Sequence, residues 1–381
     1  MKKIGIILIS LVLSIAIRAN DNSEPRISLL TCSAGDDLYS QFWHSALRVS
    51  YSSTGHDIVF NFGEFDFGTP NFYYKFIRGK LQYSLGIGYT SEFIRAYESY
   101  GREVYEQELT LTQMQKQKIM DRLEYLYKPE NRYYFYSFLY KNCTTELRDL
   151  LLDIVEIDTR GEVLEKKVGI SNRELLNRYT TGWVRFGINL ILGSSLDKEI
   201  DFCQNMFFPE TLMDGLATLT ISGEPFTTDG KRISKPIHAP KKAGFLSILI
   251  SPTVVFALLL VAGVLLLRKG GKLWSVYSKS MLLLCGLAGV VIAVCTLITE
   301  HTELYWNLNI LLFNPLWIIV ALIPTKSVKI TNLFRVIMSI AILAMVLVWT
   351  LGIQGPEWGF VFIATIMFSI TWRERFKKLI E

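Results

Sequence analysis

Cys143 and His44 are the residues whose types and settings would support covalent chemistry together. Cys143 stands in Asn142-Cys143-Thr144-Thr145, where a helical pattern begins, its buried stripe marked by Leu147, Leu150, Leu151, Ile154 and Val155. The free N–H groups and the dipole at a helix start favour a thiolate, and a thiolate is what a cysteine nucleophile needs. His44 stands in Phe42-Trp43-His44-Ser45, on a predicted strand. Alternation places Trp43, Ser45, Leu47, Val49 and Tyr51 on one side, with His44, Ala46, Arg48 and Ser50 on the other, polar side. A neutral imidazole there can take and return a proton. Taken alone, the pair also fits a buried thiol and a hydrogen-bonded surface histidine.

A third group should orient the imidazole. Ser52-Ser53-Thr54-Gly55 is turn chemistry, and Ile58–Phe62 alternates again, which predicts a hairpin. A turn centred on Thr54-Gly55 makes paired positions sum to about 109, so His44 faces Glu64 to Asp66. Asn61 is a further candidate, and His56 at the turn reads as a solvated loop residue. No CxxC pair is present, so neither a zinc site nor another cofactor is expected. Cys32 and Cys203 are available for a disulfide that leaves Cys143 alone, while Cys285 and Cys295 read as apolar filler.

The surrounding elements predict an α+β domain. Ile27–Cys32 suits a buried strand, and Gln82–Gly88 and Glu103–Leu111 are further strands. Thr112, with Gln115 in capping-box position, opens a helix that runs to about Tyr127 and stops before Pro129. Asn131–Lys141 is aromatic and extended, and Arg173–Tyr179 and Pro209–Leu219 read as helices.

The chain as a whole has 381 residues, a formal net charge of +5, 50% hydrophobic residues and a mean hydropathy of +0.28. That is too apolar for an ordinary soluble domain and too polar for a pure membrane bundle. A division after residue 244 separates the two tendencies. Residues 20–244 hold 26 Lys and Arg against 30 Asp and Glu, whereas residues 245–381 hold 11 against 5. The positive balance therefore sits at the ends of apolar segments, which excludes the basic stripe of a nucleic-acid binder. Lys2 and Lys3 before the apolar run Ile4–Ile17 read as an export signal over residues 1–19.

Five apolar segments follow: Phe245–Leu267, Met281–Thr299, Ile310–Ile323, Leu333–Leu351 and Trp358–Trp372. Their connections alternate in charge. Arg268, Lys269, Lys272 and Lys279 precede the second segment, Lys326, Lys329 and Arg335 flank the fourth, and Arg373, Arg375, Lys377 and Lys378 form the tail. Glu300–Asn309 and Gly352–Glu357 carry no Lys or Arg. With basic loops inside, five spans put the large domain, residues 20–244, outside. Glu300–Asn309 then lies on the outer side with His301, and Asn307, Asn309 and Asn314 are polar for a membrane segment, which calls for partners or a task. The functional reading is that this loop closes the floor of the active site. Arg78 belongs to Tyr73-Tyr74-Lys75-Phe76-Ile77-Arg78-Gly79-Lys80, which interleaves aromatics with cations as interfacial segments do.

Several of these motifs are similar to one family. Leu29-Leu30-Thr31, Trp43–Val49, Asp57–Gly63, Phe65-Asp66-Phe67, Pro70-Asn71-Phe72, Phe76, Arg78-Gly79, Tyr83, Leu85, Pro129–Arg132 and Asn142–Thr145 with Arg148-Asp149 resemble the exported domain of Lnb-type lipoprotein N-acyltransferases. The resemblance is dense over about residues 27–155 and thinner over Trp183–Asp197, Met206–Pro209 and Glu300–Pro315. Lys141, where an acidic residue is expected, departs from the family, and Glu64 is less typical than its neighbours. Asp66 or Asn61 is accordingly the expected orienting group.

The resemblance implies a circularly permuted papain-like exported domain, the His strand preceding the Cys helix, followed by a five-helix transmembrane bundle in the bacterial inner membrane. It also implies acyl transfer. Cys143 takes an acyl chain from a phospholipid or from a lipoprotein's own glyceryl group as a thioester, and passes it to the α-amine of a diacylglyceryl lipoprotein. His44 serves as acid and base, and Arg78, His301, Asn142 and Thr144 are candidate substrate contacts. The alternative is a membrane-anchored cysteine hydrolase of the same fold, acting on peptidoglycan peptides or lipid esters.

Overall fold

The computed structural model describes residues 24–37, 40–237, 245–323 and 328–373. The expected export signal, the division at residue 244, and Lys326, Arg375, Lys377 and Lys378 lie outside the described residues. Two compact units are formed, in their described residues. One comprises Met1–Asp66, Gln82–Leu164 and Met206–Pro240; the other comprises Phe67–Leu81, Glu165–Asn205 and Lys241–Glu381.

The first unit is built on an antiparallel sheet. Its strands are β1 (Arg26–Cys32), β2 (His44–Ser50), β3 (Asp57–Glu64), β4 (Gln82–Tyr89), β5 (Val104–Glu108), β6 (Tyr133–Phe135) and the two-residue Lys231–Arg232. The order across the sheet is Lys231–Arg232, β5, β1, β2, β3, β4, β6. β1 is central and buried at every position after Arg26, which explains its unbroken run of apolar and small residues. Both faces are covered. Leu30, Cys32, Ala46, Val59 and Val104 pack under Phe93 and Tyr97 of the helix Thr90–Ser99, together with Ile233. The helix Cys143–Ile154 packs on β2 and β3, with Leu147 and Leu151 fully buried. The face that carries His44, polar in its alternation, is therefore covered by a helix.

The β2–β3 register differs from the sequence expectation. Leu47 pairs with Phe60 and Ser50 with Asp57, so the hairpin is centred between Ser53 and Thr54, one residue earlier than expected. The connection is held by the Tyr51 N–H donating to His56 O at 2.8 Å and the Gly55 N–H donating to Tyr51 O at 3.0 Å. Continuing the register sets Asn61 across from Ala46, on the face of His44 and two residues from it. β3 then bulges between Phe62 and Glu64, where Gly63 takes φ 93°. Thr112 and Gln115 cap the helix Gln113–Tyr127 reciprocally, as the sequence predicts.

The second unit is mostly helical, with one small two-stranded sheet of Lys167–Ser171 and Glu199–Asp201. Among the described residues, four segments are long and apolar enough to cross a membrane: Pro252–Lys269, Gly271–Ile298, Thr302–Leu322 and Asn332–Thr350; Trp358–Thr371 is a shorter apolar helix. The first two join directly at Gly270, so Lys272 lies inside the second helix. That helix has 28 residues, about 42 Å at 1.5 Å per residue against a hydrocarbon core of about 30 Å. Its cationic first turns can thus stand outside the core.

The third segment is not a continuous helix. Short 3-10 turns at Thr302–Leu304 and Leu308–Leu311 precede the helix Leu316–Leu322. Broken backbone at that depth needs a protein environment, and Asn307, Asn309, Leu312 and Phe313 are indeed buried. Asn307 Nδ2 donates to Leu190 O and Ile191 O, Asn309 Nδ2 donates to Asn189 O, and Asn314 caps the Leu316 N–H. The polarity of this segment is thereby answered by internal partners. The architecture is mixed α/β, a sheet domain followed by a helical region with about four apolar helices.

Candidate active site

Asn142 fixes the start of the helix that presents Cys143. Its Oδ1 accepts from the Thr144 and Thr145 N–H groups at 2.8 and 2.9 Å, and its Nδ2 donates to Phe138 O and Phe207 O at 2.7 and 3.1 Å. Thr145 Oγ1 accepts from the Asn142 N–H at 2.8 Å. Two donors and two acceptor positions exhaust the amide. Asn142, expected as a substrate contact, is placed as the cap of this helix, which leaves the Cys143 N–H, one position earlier, untouched by the cap.

Thr144, expected as a further substrate contact, faces inward. It is fully buried, its hydroxyl 3.3 Å from Ser45 Oγ and 3.8 Å from Cys143 Sγ, so it touches the nucleophile and the strand. Cys143 itself is partly exposed.

His44 begins β2, directly after Trp43, whose φ of 60° turns the chain into the strand. The imidazole stacks on Tyr97, with ring centroids 6.3 Å apart and planes 12° from parallel. Its Nε2 lies 2.6 Å from Asn61 Oδ1. Because that oxygen can only accept, Nε2 carries a proton, and the ring also bonds Cys143. Asn61 Nδ2 in turn donates to Glu64 Oε1 at 3.3 Å. The Glu64 carboxylate lies over Gly86, where an added Cβ would collide with it. Of the two expected orienting groups, Asn61 is the one placed against His44. Asp66 is an exposed residue beyond the bulge, and Glu64, the residue set aside as less typical, stands behind Asn61.

The electrostatics pair the two reactive groups. Burial alone would raise the Cys143 thiol, but the His44 imidazole, the Ser45 N–H and the Thr144 hydroxyl outweigh it and bring the thiol down to about 7. Burial alone would lower His44; the Cys143 sulfur and Asn61 outweigh it and raise the imidazole above its ordinary value. Each group thus favours the charged form of the other. Loss of water contact raises the Glu64 carboxyl against the opposing effects of Asn61, Arg132 and His44. Cys32 sits across from His44 in the β1–β2 register, and burial pushes its thiol up to about 12. Cys32 and Cys203 are both free thiols, not a disulfide.

Arg78 and His301 lie on two segments that hydrogen-bond to each other in the second unit. The Glu300 N–H donates to Arg78 O at 3.0 Å, and His301 Nε2 donates to Phe76 O at 2.9 Å. Thr299 Oγ1 donates to Ile77 O at 2.7 Å, and Lys80 pairs with Glu300 at 2.6 Å. The aromatic–cationic stretch is therefore fastened to the residues that follow the end of the helix Gly271–Ile298. Among its side chains, Tyr73 is 73% and Tyr74 55% exposed.

The sheet domain thus places a cysteine beside a histidine that bonds an asparagine, and it is followed in the chain by helices long and apolar enough to cross a membrane. Comparison with known families carries this further. Residues 14–176 match the Lnb N-terminal periplasmic domain and residues 244–376 match the Lnb transmembrane domain. The chain belongs to the Lnb family, and its two domains point to a membrane-associated periplasmic enzyme. Neither the curated proteins nor the solved structures compared gave a match.

Proposed function

We propose that this protein N-acylates the terminal cysteine of diacylglyceryl lipoproteins through a Cys143 thioester. The Cys143 thiolate attacks the ester carbonyl of a phospholipid or of a lipoprotein's glyceryl group. The carbonyl pair moves onto oxygen, and collapse expels the alcohol, which takes its proton from the His44 imidazolium. The lipoprotein's α-amine then attacks the thioester, His44 accepts the proton lost by the amine, and the thiolate leaves as the amide forms. Asn61 holds the imidazole in the tautomer this needs, and Glu64 holds Asn61.

The observation that carries this reading is the Cys143–His44–Asn61 array in a chain of this family. The order of a His strand before a Cys helix supports a permuted papain-like domain. Residues 1–19 would be the export signal, 20–244 the exported catalytic domain and 245–381 the spanning domain of an inner-membrane protein. Arg78 and His301 would contact the headgroup or glyceryl of the substrates, whose lipid chains hold them in the bilayer. The His301→Ala variant should then lower turnover severalfold at unchanged membrane abundance.

Mass spectrometry of lipoprotein amino termini, in cells with and without this protein, tests the function. N-acylated termini that disappear with the protein and return with the wild-type chain, but not with Cys143→Ala, are expected. They carry three acyl chains if a phospholipid is the donor and two, one of them on nitrogen, if the lipoprotein's own glyceryl group is. Termini that are the same in all three overturn the reading, and cleaved wall peptides or released fatty acid in their place would identify a hydrolase.

A further inference from the structure

The hydroxyl of Tyr134 is buried and, among the described residues, has no hydrogen-bond partner. A buried hydroxyl without a partner is costly to retain. Tyr134 is also held firmly in place. It lies in β6 across from Tyr83, with the rings 6.4 Å apart, and Lys141 Nζ stands 5.8 Å from its ring centre.

Gly63 shows where the hydroxyl points. A Cβ on Gly63 would lie 3.5 Å from Cys143 Cβ and 3.9 Å from Tyr134 Oη. The missing side chain of the bulge glycine thus leaves a space bordered by the nucleophile on one side and the unpartnered hydroxyl on the other. The thiolate does not need this hydroxyl, since His44, the Ser45 N–H and Thr144 already hold the sulfur.

We propose that Tyr134 is a catalytic residue that donates a hydrogen bond to the acyl carbonyl oxygen as Cys143 attacks, sharing the developing oxyanion with the Cys143 N–H. The inference rests on the acyl-transfer reading above. When the S–C bond forms, the carbonyl π pair becomes a lone pair on oxygen, and a donor already in position requires no reorganisation. Tyr134 keeps its proton throughout. Burial and the neighbouring Cys143 hold its phenol well above the ordinary value, so it remains a neutral donor. The occupant this fits is a carbonyl oxygen of an ester or thioester.

The test compares two reactions of the full-length protein in lipid nanodiscs. One is N-acylation of a synthetic diacylglyceryl-cysteine lipopeptide supplied with phosphatidylethanolamine. The other is alkylation of Cys143 by iodoacetamide, a displacement at saturated carbon that forms no oxyanion. The Tyr134→Phe variant keeps the ring and should lower kcat about 10²-fold, change KM little, and leave the alkylation rate and its pH midpoint at wild-type values. Undiminished N-acylation in Tyr134→Phe overturns the assignment. So does an alkylation rate that falls in step with turnover, because Tyr134 would then act on the thiol or on the fold. A wild-type protein that alkylates normally but yields no N-acyl product overturns the transfer reading, and this inference with it.

Discussion

Nε2 of His44 lies 2.6 Å from Oδ1 of Asn61. This contact fixes which ring nitrogen is left for Cys143. The opposite end of the Asn61 amide is fixed as well, since Nδ2 reaches Glu64 Oε1 at 3.3 Å. An amide with a carboxylate on its nitrogen cannot flip without facing oxygen to oxygen.

Removal of successive members of this array should therefore produce graded losses. Asn61→Ala should lower kcat by about 10 to 10²-fold, less than His44→Ala, because a freed imidazole still visits the productive orientation. Glu64→Ala should cost less again, and Asp66→Ala should have little effect. Steady-state turnover of the four variants gives the ranking, and an Asp66→Ala loss larger than that of Asn61→Ala would refute the assigned order.

The Cys143 thiol, brought down to about 7 chiefly against the cost of its burial, sets a pH dependence. Alkylation should rise with pH through about 7, two units below an ordinary thiol at 9.0. In His44→Ala the cation that favours the thiolate is gone and the burial penalty remains, so the midpoint should move up, above 9. Rates of iodoacetamide labelling from pH 5 to 10, read by peptide mass, check the sign. A midpoint unchanged by His44→Ala would mean that the imidazole does not hold the thiolate.

Gly63 is asked to do two things, to take φ 93° and to leave the space beside Cys143 open. Gly63→Ala should cost about 1–3 kcal/mol for a side chain in that backbone region and should reduce turnover by filling the space. Thermal unfolding in detergent separates the two effects. Wild-type stability and turnover together would show that the bulge tolerates a side chain.

Much of the local chemistry was legible in the sequence, because caps and strand periodicity are local. Thr112 with Gln115 and the helix start at Cys143 follow from side chains competing for nearby N–H groups. The register between β2 and β3 was not legible. A loop closed by Tyr51 and His56 shifted it by two positions from the expected sum, and so drew the partner of His44 toward Asn61. Both-sided burial of β2 was missed for a related reason, since the covering helix Thr90–Ser99 is distant in sequence. Tyr134 carried no signal at all among the aromatics of Asn131–Lys141; only its approach to Gly63 distinguishes it.

Arg173 makes a separate prediction in the second unit. Its side chain is 4% exposed and its guanidinium reaches Asp197, itself 9% exposed, at 2.8 Å. It also donates to Asn189 Oδ1 and to the carbonyls of Leu192 and Gly193, and Asp197 accepts from the Gly355 N–H. Arg173→Ala strands a buried carboxylate and should cost about 3–5 kcal/mol. Reduced abundance of inserted protein, with normal Cys143 alkylation in the fraction that remains, is the expected pattern. Normal abundance and melting temperature would show the network to be dispensable.

The central claim is that an acyl group rides on Cys143. Intact-protein mass spectrometry of the purified protein, mixed with phosphatidylethanolamine or a diacylated lipopeptide whose amine is blocked, measures it directly. The account predicts an added mass of one acyl chain on wild-type protein, localised to the peptide bearing Cys143 and absent from Cys143→Ala. Addition of a lipopeptide with a free α-amine should discharge that mass into an N-acyl product. An N-acyl product formed while the mass of Cys143 never changes, or formed equally well by Cys143→Ala, would contradict the account.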